Sequence, residues 1–422
     1  MLKSRLRSSQ TYQNGDNMMT LHKILIGALI IGGISGTALA GGYQLSEYSV
    51  TNLGRAFGGS GVVGDDYSAI AFNPAGMILK KRGAQIGGNV VAIRAHADGE
   101  LIGRPAGKGK LKTNAVLPHL FVQTPVGDRF RIGAGAYVPF GLGTYYKKNW
   151  FGATHALNSE INAIDAALAM AWQLTDSISV GASGFAEYVD ARLTNATPAG
   201  TESDLNADGW APGYTLGLMY RPQPNTRFGL TYRSKTVHDI KGPHYFHLGP
   251  ITYTGDCGTK LVFPEHILLS AYHRTGSFGW SAMARWTRWS RFNKLNIHSD
   301  AYRQRFGTAN MPTVNEDWRN VWMIGAGMDY YRDQHWTYRF GVAFDQGAVK
   351  RPANRTARVP DSDRWIASVG ASYTTGPWQV DLGYAHMFWK HAWSDNVSGG
   401  TTLRAKYHVR TDLVGLSVQY HF

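Results

Sequence analysis

From Gly83 to the last residue, apolar and aromatic side chains fall on alternate positions, and this period of two constrains the chain more than any other feature. Near the C-terminus Val414, Leu416, Val418, Tyr420 and Phe422 alternate with Gly415, Ser417, Gln419 and His421. Successive strand residues point to opposite faces, so one face is apolar and the other polar, as where a wall meets lipid outside and a wet lumen inside. Trp336, Tyr338, Phe340, Val342 and Phe344 repeat the pattern, as do Trp365, Ala367, Val369, Ala371 and Tyr373. Trp322, Ile324, Ala326, Met328 and Tyr330 follow it, and so do Trp378, Val380, Leu382 and Tyr384. Aromatic residues at the strand ends suit the interfacial girdles of a membrane barrel. A soluble β-sandwich also alternates, so periodicity alone leaves both folds open.

Connection lengths separate them. Tight turns are expected near Val126-Gly127-Asp128, Thr175-Asp176, Pro222-Gln223-Pro224-Asn225, Thr275-Gly276-Ser277, Arg332-Asp333-Gln334 and Thr375-Gly376-Pro377. Long polar connections are expected around 98–111, 140–160, 192–208, 240–257, 292–316, 346–362 and 391–406. The two kinds alternate, six short and seven long, which implies fourteen strands with both ends on the short-turn side. Even strand numbers, short periplasmic turns and long outer loops are the rule for bacterial outer-membrane barrels. The expected fold is therefore all-β, a transmembrane antiparallel barrel of fourteen strands over 83–422.

Residues 1–40 read as upstream residues plus a signal peptide. His22 and Lys23 precede the apolar run Ile24 to Ile34, and Ala38-Leu39-Ala40 offers a cleavage site before Gly41. An uncleaved anchor is the alternative, though the run is short for a span. Residues 41–82 are Gly-rich and break the alternation, with Leu53, Phe57, Ile70, Phe72 and Met77 scattered among polar residues. A segment of that size fills a lumen as an N-terminal hatch, or else extends into the periplasm.

Fifty Gly, 22 Tyr, 17 Phe and 13 Trp with 17% charged residues fit a Gly-punctuated, aromatic-rich sheet better than a helical membrane protein. The formal charge of +14 is spread along the chain, which argues for anionic outer-membrane lipids as its partner and against nucleic acid. Cys257 is the only cysteine, so neither an internal disulfide nor a Cys-ligated metal cluster is available.

Several motifs, taken in order, resemble the FadL-type long-chain fatty acid transporters of the outer membrane. They are Gly42-Tyr43-Gln44-Leu45, Asn52-Leu53-Gly54-Arg55-Ala56-Phe57, and Ala71-Phe72-Asn73-Pro74-Ala75-Gly76, the last resembling the hatch motif. Val138-Pro139-Phe140-Gly141-Leu142, Phe263-Pro264-Glu265-His266 and Val359-Pro360-Asp361-Ser362-Asp363-Arg364-Trp365 continue the resemblance over essentially the whole mature chain. The resemblance implies a monomeric, cofactor-free barrel that is not an enzyme. It implies a hatch built on Tyr43, Asn73, Pro74 and Ala75, and passive uptake of fatty acids or similar hydrophobic molecules with lateral release through the wall. Pro139 gives that opening a physical basis, because proline lacks the ladder N–H and Gly141 and Gly143 beside it carry no side chain. The same residues also suit the start of a loop. Tyr43 stands where a phenyl ring is common in the family, which leaves room for aromatic hydrocarbons or more polar cargo. Arg339, Arg358 and Arg364 are candidates to meet a ligand carboxylate, although such arginines more often line a lumen or brace a loop.

Other chemistry is weak. Gly59 to Gly64 resembles a phosphate loop, but Asp65-Asp66 follows where a Lys is required. Asp204, Asn206, Asp208 and Gly209 match the first half of a calcium loop, whereas Thr215 stands where a bidentate Glu belongs, and a loop turn is favoured. His244 and His247 lack a nearby third ligand, and no HExxH or GxSxG pattern occurs. An outer-membrane hydrolase or an adhesin remains the functional alternative.

Overall fold

The computed structural model describes residues 42–197 and 199–422, so the leader assigned to 1–40 lies outside the described residues. Strands β1 (Gly83–Leu101), β2 (Gly107–Val126), β3 (Phe130–Tyr145), β4 (Asn158–Gln173), β5 (Ile178–Ala196) and β6 (Glu202–Gln223) form the first part of the wall. β7 runs through Thr226–Arg233 and Thr236–Leu248, and β8 through Ile251–Phe263 and His266–Thr275, each interrupted by two residues. The wall continues with β9 (Phe278–Thr287), β10 (Val321–Tyr331), β11 (Trp336–Asp345), β12 (Arg364–Thr375), β13 (Trp378–Trp389 and Ala392–Ser398) and β14 (Thr401–His421). Each strand pairs antiparallel with its sequence neighbours, and β14 closes on β1 from Gly83↔His421 to Leu101↔Leu403, giving a closed barrel of fourteen strands.

Closure of β14 on β1 removes the terminal sheet edges, which the hydrocarbon interior demands because no water is there to satisfy a free backbone group. The apolar parity faces outward, with Ile86, Leu168, Trp172, Leu216, Ile324, Val342 and Leu382 all exposed. Each such aliphatic side chain moved from water into lipid contributes about 1.5–3 kcal/mol, and an Arg in place of Leu382 would cost about 2–4 kcal/mol near the midplane. Tight turns at Gly127, Gly276 and Gly376 use left-handed φ of 68°, 57° and 53°, a conformation glycine adopts without steric cost.

The opposite end departs from expectation. The polar stretches around 98–111, 192–208, 240–257 and 391–406 are largely strand, continuing above the lipid and ending in short reversals such as 249–250 and 399–400. A polar outward face marks where a strand leaves the bilayer, not where its hydrogen-bond ladder ends. Irregular connections of substance remain at 146–157, 288–320 and 346–363, the second carrying the helix Asp300–Phe306. Residues 42–82 precede β1 and include the short helices α1 (Val50–Gly54) and α2 (Ala69–Phe72). They are almost entirely buried and pack on inward-facing wall residues.

Candidate functional site

The N-terminal segment is seated by fit and by charge. Asn73 Oδ1 accepts from Ala75 N at 3.1 Å, Asn73 Nδ2 donates to the Leu218 carbonyl at 3.1 Å, and Ser179 Oγ donates to the Ala75 carbonyl at 3.1 Å. Pro74 starts a 3-10 turn where its missing N–H costs nothing. The wall makes room for this turn with glycine. A Cβ on Gly217 would lie 2.1 Å from Asn73 Oδ1, and one on Gly181 would lie 2.4 Å from Ala75 N.

Charge fixes the other side of the segment. Arg55 donates to Asp65 at 2.7 Å and to Asp329 of β10 at 3.1 Å, while Arg339 of β11 donates to Asp65 at 2.9 Å. Burial by itself would raise the Asp65 carboxyl, but Arg55 and Arg339 hold it well below the usual carboxylate range. The neighbouring Asp66 accepts from Ser49 Oγ at 2.5 Å and from Thr51 Oγ1 at 2.8 Å, tying down the start of α1. Asp65 and Asp66, which ruled out a phosphate loop in the sequence, thus hold the segment in place.

Tyr43 stands at the top of this segment, inside an aromatic nest. Its ring lies 4.7 Å from Trp289, 5.6 Å from Phe263 and Trp318, 5.8 Å from Phe292 and 6.3 Å from Phe140, edge-on in each case. Its hydroxyl is buried and has no hydrogen-bond partner among the described residues. Beside it lies a small apolar cavity of about 50 Å³ walled by Leu142, Ile161, Ile240 and Leu261, with Glu316 and Arg358 at its margin. A groove of about 180 Å³ lies between the loops and shares Leu193, Leu295, Glu316 and Arg358 with the cavity. The two spaces are thus adjacent, with Leu193, Leu295, Glu316 and Arg358 lying between them.

Glu316 is buried and Arg358 half-buried, and neither is in an ion pair among the described residues. Arg358 donates to Ser159 Oγ at 3.0 Å and to the Thr194 carbonyl at 3.3 Å, and it has no carboxylate within 4.0 Å among the described residues. Burial lowers its pKa to about 10, so it remains a cation at neutral pH. Burial pushes Glu316 up to about 7, against the hydrogen bond its carboxylate accepts from the Trp318 indole at 2.9 Å. Glu316 was not singled out in the sequence, since it sits in a loop without periodic pattern.

The wall changes character at β3. Pairing between β2 and β3 runs only from Val126↔Phe130 to Leu120↔Ala136, and the next contact is an isolated bridge at Leu111↔Tyr146. Between these points β3 keeps β4 as its partner, with a register shift between Tyr137 and Phe140. Every residue from Tyr137 to Thr144 is buried, on both parities, so this stretch has turned away from lipid into the barrel. Pro139, Gly141 and Gly143 all lie in it, within a strand and not at the start of a loop. The N-terminal segment takes over the vacated edge: Leu45 N donates to the Pro139 carbonyl at 2.8 Å and Gly141 N donates to the Tyr43 carbonyl at 2.9 Å.

Three expectations need correction. Arg339 is on the inward parity as expected, but its charge is already met by Asp65 and Asp329. Arg364 is fully buried between Asp345 at 2.5 Å and Asp361 at 3.2 Å, with its guanidinium over the Trp389 ring. Asp361 in turn accepts from Gly42 N and Ala348 N, so Arg364 braces a loop. Of the three arginines only Arg358 is placed to meet a ligand. The calcium reading also fails, since Asp204, Asn206 and Asp208 lie along the extended strand β6 and not in a loop that wraps an ion, and Asn206 turns its amide donor to Asp204 Oδ1 at 3.2 Å. Asp204 is engaged by Arg192, at 2.7 and 3.0 Å.

A closed barrel of fourteen antiparallel strands, with a lipid-facing apolar band and a packed lumen, defines an outer-membrane β-barrel protein. The chain belongs to the family described as outer membrane protein transport protein (OMPP1/FadL/TodX), whose pattern matches residues 31–422. It is 28% identical to a long-chain fatty acid transport protein of Escherichia coli O6:H1, over 94% of this chain and 97% of that one. It is 27% identical to outer membrane protein P1 of Haemophilus influenzae, over 92% and 96%. A solved Pseudomonas aeruginosa FadL homologue shares the fold with a TM-score of 0.82 at 24% identity, covering 90% of this chain and 99% of that one. The Pseudomonas putida toluene transporter TodX shares it with a TM-score of 0.70 at 17% identity, over 90% and 99%.

Proposed function

We propose that the protein takes up long-chain fatty acids or similar hydrophobic molecules passively across the outer membrane. In this reading residues 42–82 are a hatch. Cargo enters the groove between the outer loops, moves past Glu316 and Arg358 into the cavity beside Tyr43, and leaves sideways through the window between β2 and β3. The shared wall of groove and cavity supports the path, and the turned-in stretch of β3 supports the exit. The relatives bearing the name of a fatty acid transporter point the same way.

The observation that carries the choice of cargo is Arg358. A half-buried cation without a carboxylate partner at the margin of an apolar cavity suits an amphiphile with one acidic head group. Apolar contact supplies affinity at roughly 25 cal/mol per Å² before ordering costs, which discriminates poorly between chain lengths. A hydrogen-bonded charge adds about 1.5–3 kcal/mol and selects the head group. The second reading, an aromatic hydrocarbon, is favoured by the five rings around Tyr43. Uptake of radiolabelled oleate and, separately, of toluene by deleted and restored cells distinguishes them. Restored oleate uptake that drops about 10- to 100-fold in Arg358→Gln is expected. Toluene uptake restored without oleate uptake would select the second reading, and no restoration of either would end the transport reading for these cargos.

A further inference from the structure

The outward face of β14, β1 and β2 carries a block of cations that the transport reading does not use. Ladder register sets Lys112, Arg94 and Arg410 side by side in one row across the three strands. The next row holds Lys110, His96 and His408, and the one beyond it Lys108, Asp98 and Lys406. Lys108, Lys110, Lys112, Arg94 and Arg410 are all exposed. Adjacent strands are about 4.8 Å apart, so like charges directly opposite one another destabilise the sheet unless something neutralises them. Little in the protein does. Arg410 has Asp412 at 3.6 Å, Arg94 donates only to the Ile93 and Thr113 carbonyls, and the three lysines have no carboxylate within 4.0 Å among the described residues.

The height of the block identifies what could neutralise it. On the same outward parity, Val90, Val116 and Val414 form a lipid-facing row four residues nearer the short-turn end. The cations therefore begin where the apolar band gives out on the outer side, at the level of lipid head groups. The feature belongs to one sector only. At the corresponding end, β4 to β6 present Glu160, Asp190, Asp204 and Asp208 with Arg192 among them.

We propose that this face is a binding site for the phosphate groups of a phosphorylated glycolipid of the outer leaflet, of the lipid A class. Lys112, Arg94 and Arg410 would meet one phosphate and Lys110 and Lys108 a second, while the acyl chains lie on the valine row below. His96, Asp98 and His408 bring ligand atoms within 4.8 Å of one another, close enough to share a divalent cation, so the test runs in EDTA to exclude a metal bridge.

The full-length protein, purified in detergent, is titrated with bisphosphorylated lipid A and with enzymatically dephosphorylated lipid A, and bound lipid is read by native mass spectrometry. Because each basic residue near an anionic surface is worth about 1 kcal/mol, the triple substitution Lys108→Gln, Lys110→Gln, Lys112→Gln is expected to weaken bisphosphorylated lipid binding more than about tenfold. Dephosphorylated lipid is expected to bind wild type as weakly. The control triple Lys235→Gln, Lys241→Gln, Lys260→Gln removes the same charge elsewhere and is expected to leave binding unchanged. Retention of the heat-modifiable gel shift verifies folding, and Lys112→Glu alone repeats the test with a single change. Equal binding by the patch and control triples, equal binding of the two lipids to wild type, or loss of all binding in EDTA would each overturn the proposal.

Discussion

The barrel has two seams beside its first hairpin, and they are built differently. Where β14 meets β1 the ladder is unbroken from Gly83↔His421 to Leu101↔Leu403. Where β2 meets β3 it stops at Leu120↔Ala136, and β3 turns inward over Tyr137 to Thr144. The first seam closes the chain on itself and contains no proline. The second contains Pro139, followed by Gly141 and Gly143, and its free edge on β3 is occupied by the N-terminal segment at Tyr43 and Leu45. In a wall that lipid requires to be hydrogen-bonded throughout, an interrupted ladder is tolerated where another segment supplies hydrogen bonds to the freed strand.

The comparison is broken most severely by moving its cause. Val90→Pro, in the continuous seam, is expected to remove a ladder bond in lipid at a cost of about 3 kcal/mol or more and to abolish most of the folded, heat-modifiable band on a gel. A normal folded yield would show that the closing seam is not special.

Next in size is a lock on the interrupted seam. Gln44 and Phe140 face one another as an antiparallel bridge, so Gln44→Cys with Phe140→Cys, in a Cys257→Ser background, has geometry suited to a disulfide. Oxidised cells are expected to lose oleate uptake, and a reductant to restore it. Uptake indifferent to the redox state would mean that the hatch peptide does not move from this edge.

A smaller effect concerns the cavity that Leu142 of β3 helps to wall. Glu316, with a pKa of about 7, is neutral below that pH and charged above it. Oleate affinity should therefore fall as pH rises from 6 to 8, by about 1 kcal/mol or less for a partly screened like charge, and Glu316→Gln should flatten the profile. A wild-type profile as flat as that of the variant counts against a ligand carboxylate beside Glu316.

The smallest effect is expected of Pro139→Ala. It returns an N–H to β3, but β3 has already parted from β2 beyond Ala136, so stability measured by thermal unfolding should change by less than about 1 kcal/mol. A larger gain would mean that the proline alone interrupts the seam.

Much of this was legible in the sequence. Alternation with punctuating turns yielded the strand number, because burial on one face imposes period two on every strand. The Asn73-Pro74-Ala75 turn and the Pro139 region were legible as motifs, and Tyr43 as a departure from a pattern. The extent of the outer connections was not legible, since polar strand and polar loop have one composition above the membrane. The fate of the arginines was hidden for another reason. Arg339 and Arg364 have the right parity, yet whether a buried cation is free depends on Asp65, Asp329, Asp345 and Asp361, brought together only by the fold. Glu316 gave no signal at all.

The pairing of Arg55 and Asp65 with Asp329 and Arg339 has a consequence for movement. Each body contributes one charge of each sign, so parting them leaves two neutral halves, each able to close on itself as a dipole. A plug held by a single cation against a single anion would have to separate net charge across a low-dielectric gap, which is steeply unfavourable. Here displacement costs only hydrogen bonds, about 1.5–3 kcal/mol for each that involves a charge. That makes the contact a latch, firm when seated and able to reseat without any external supply of energy.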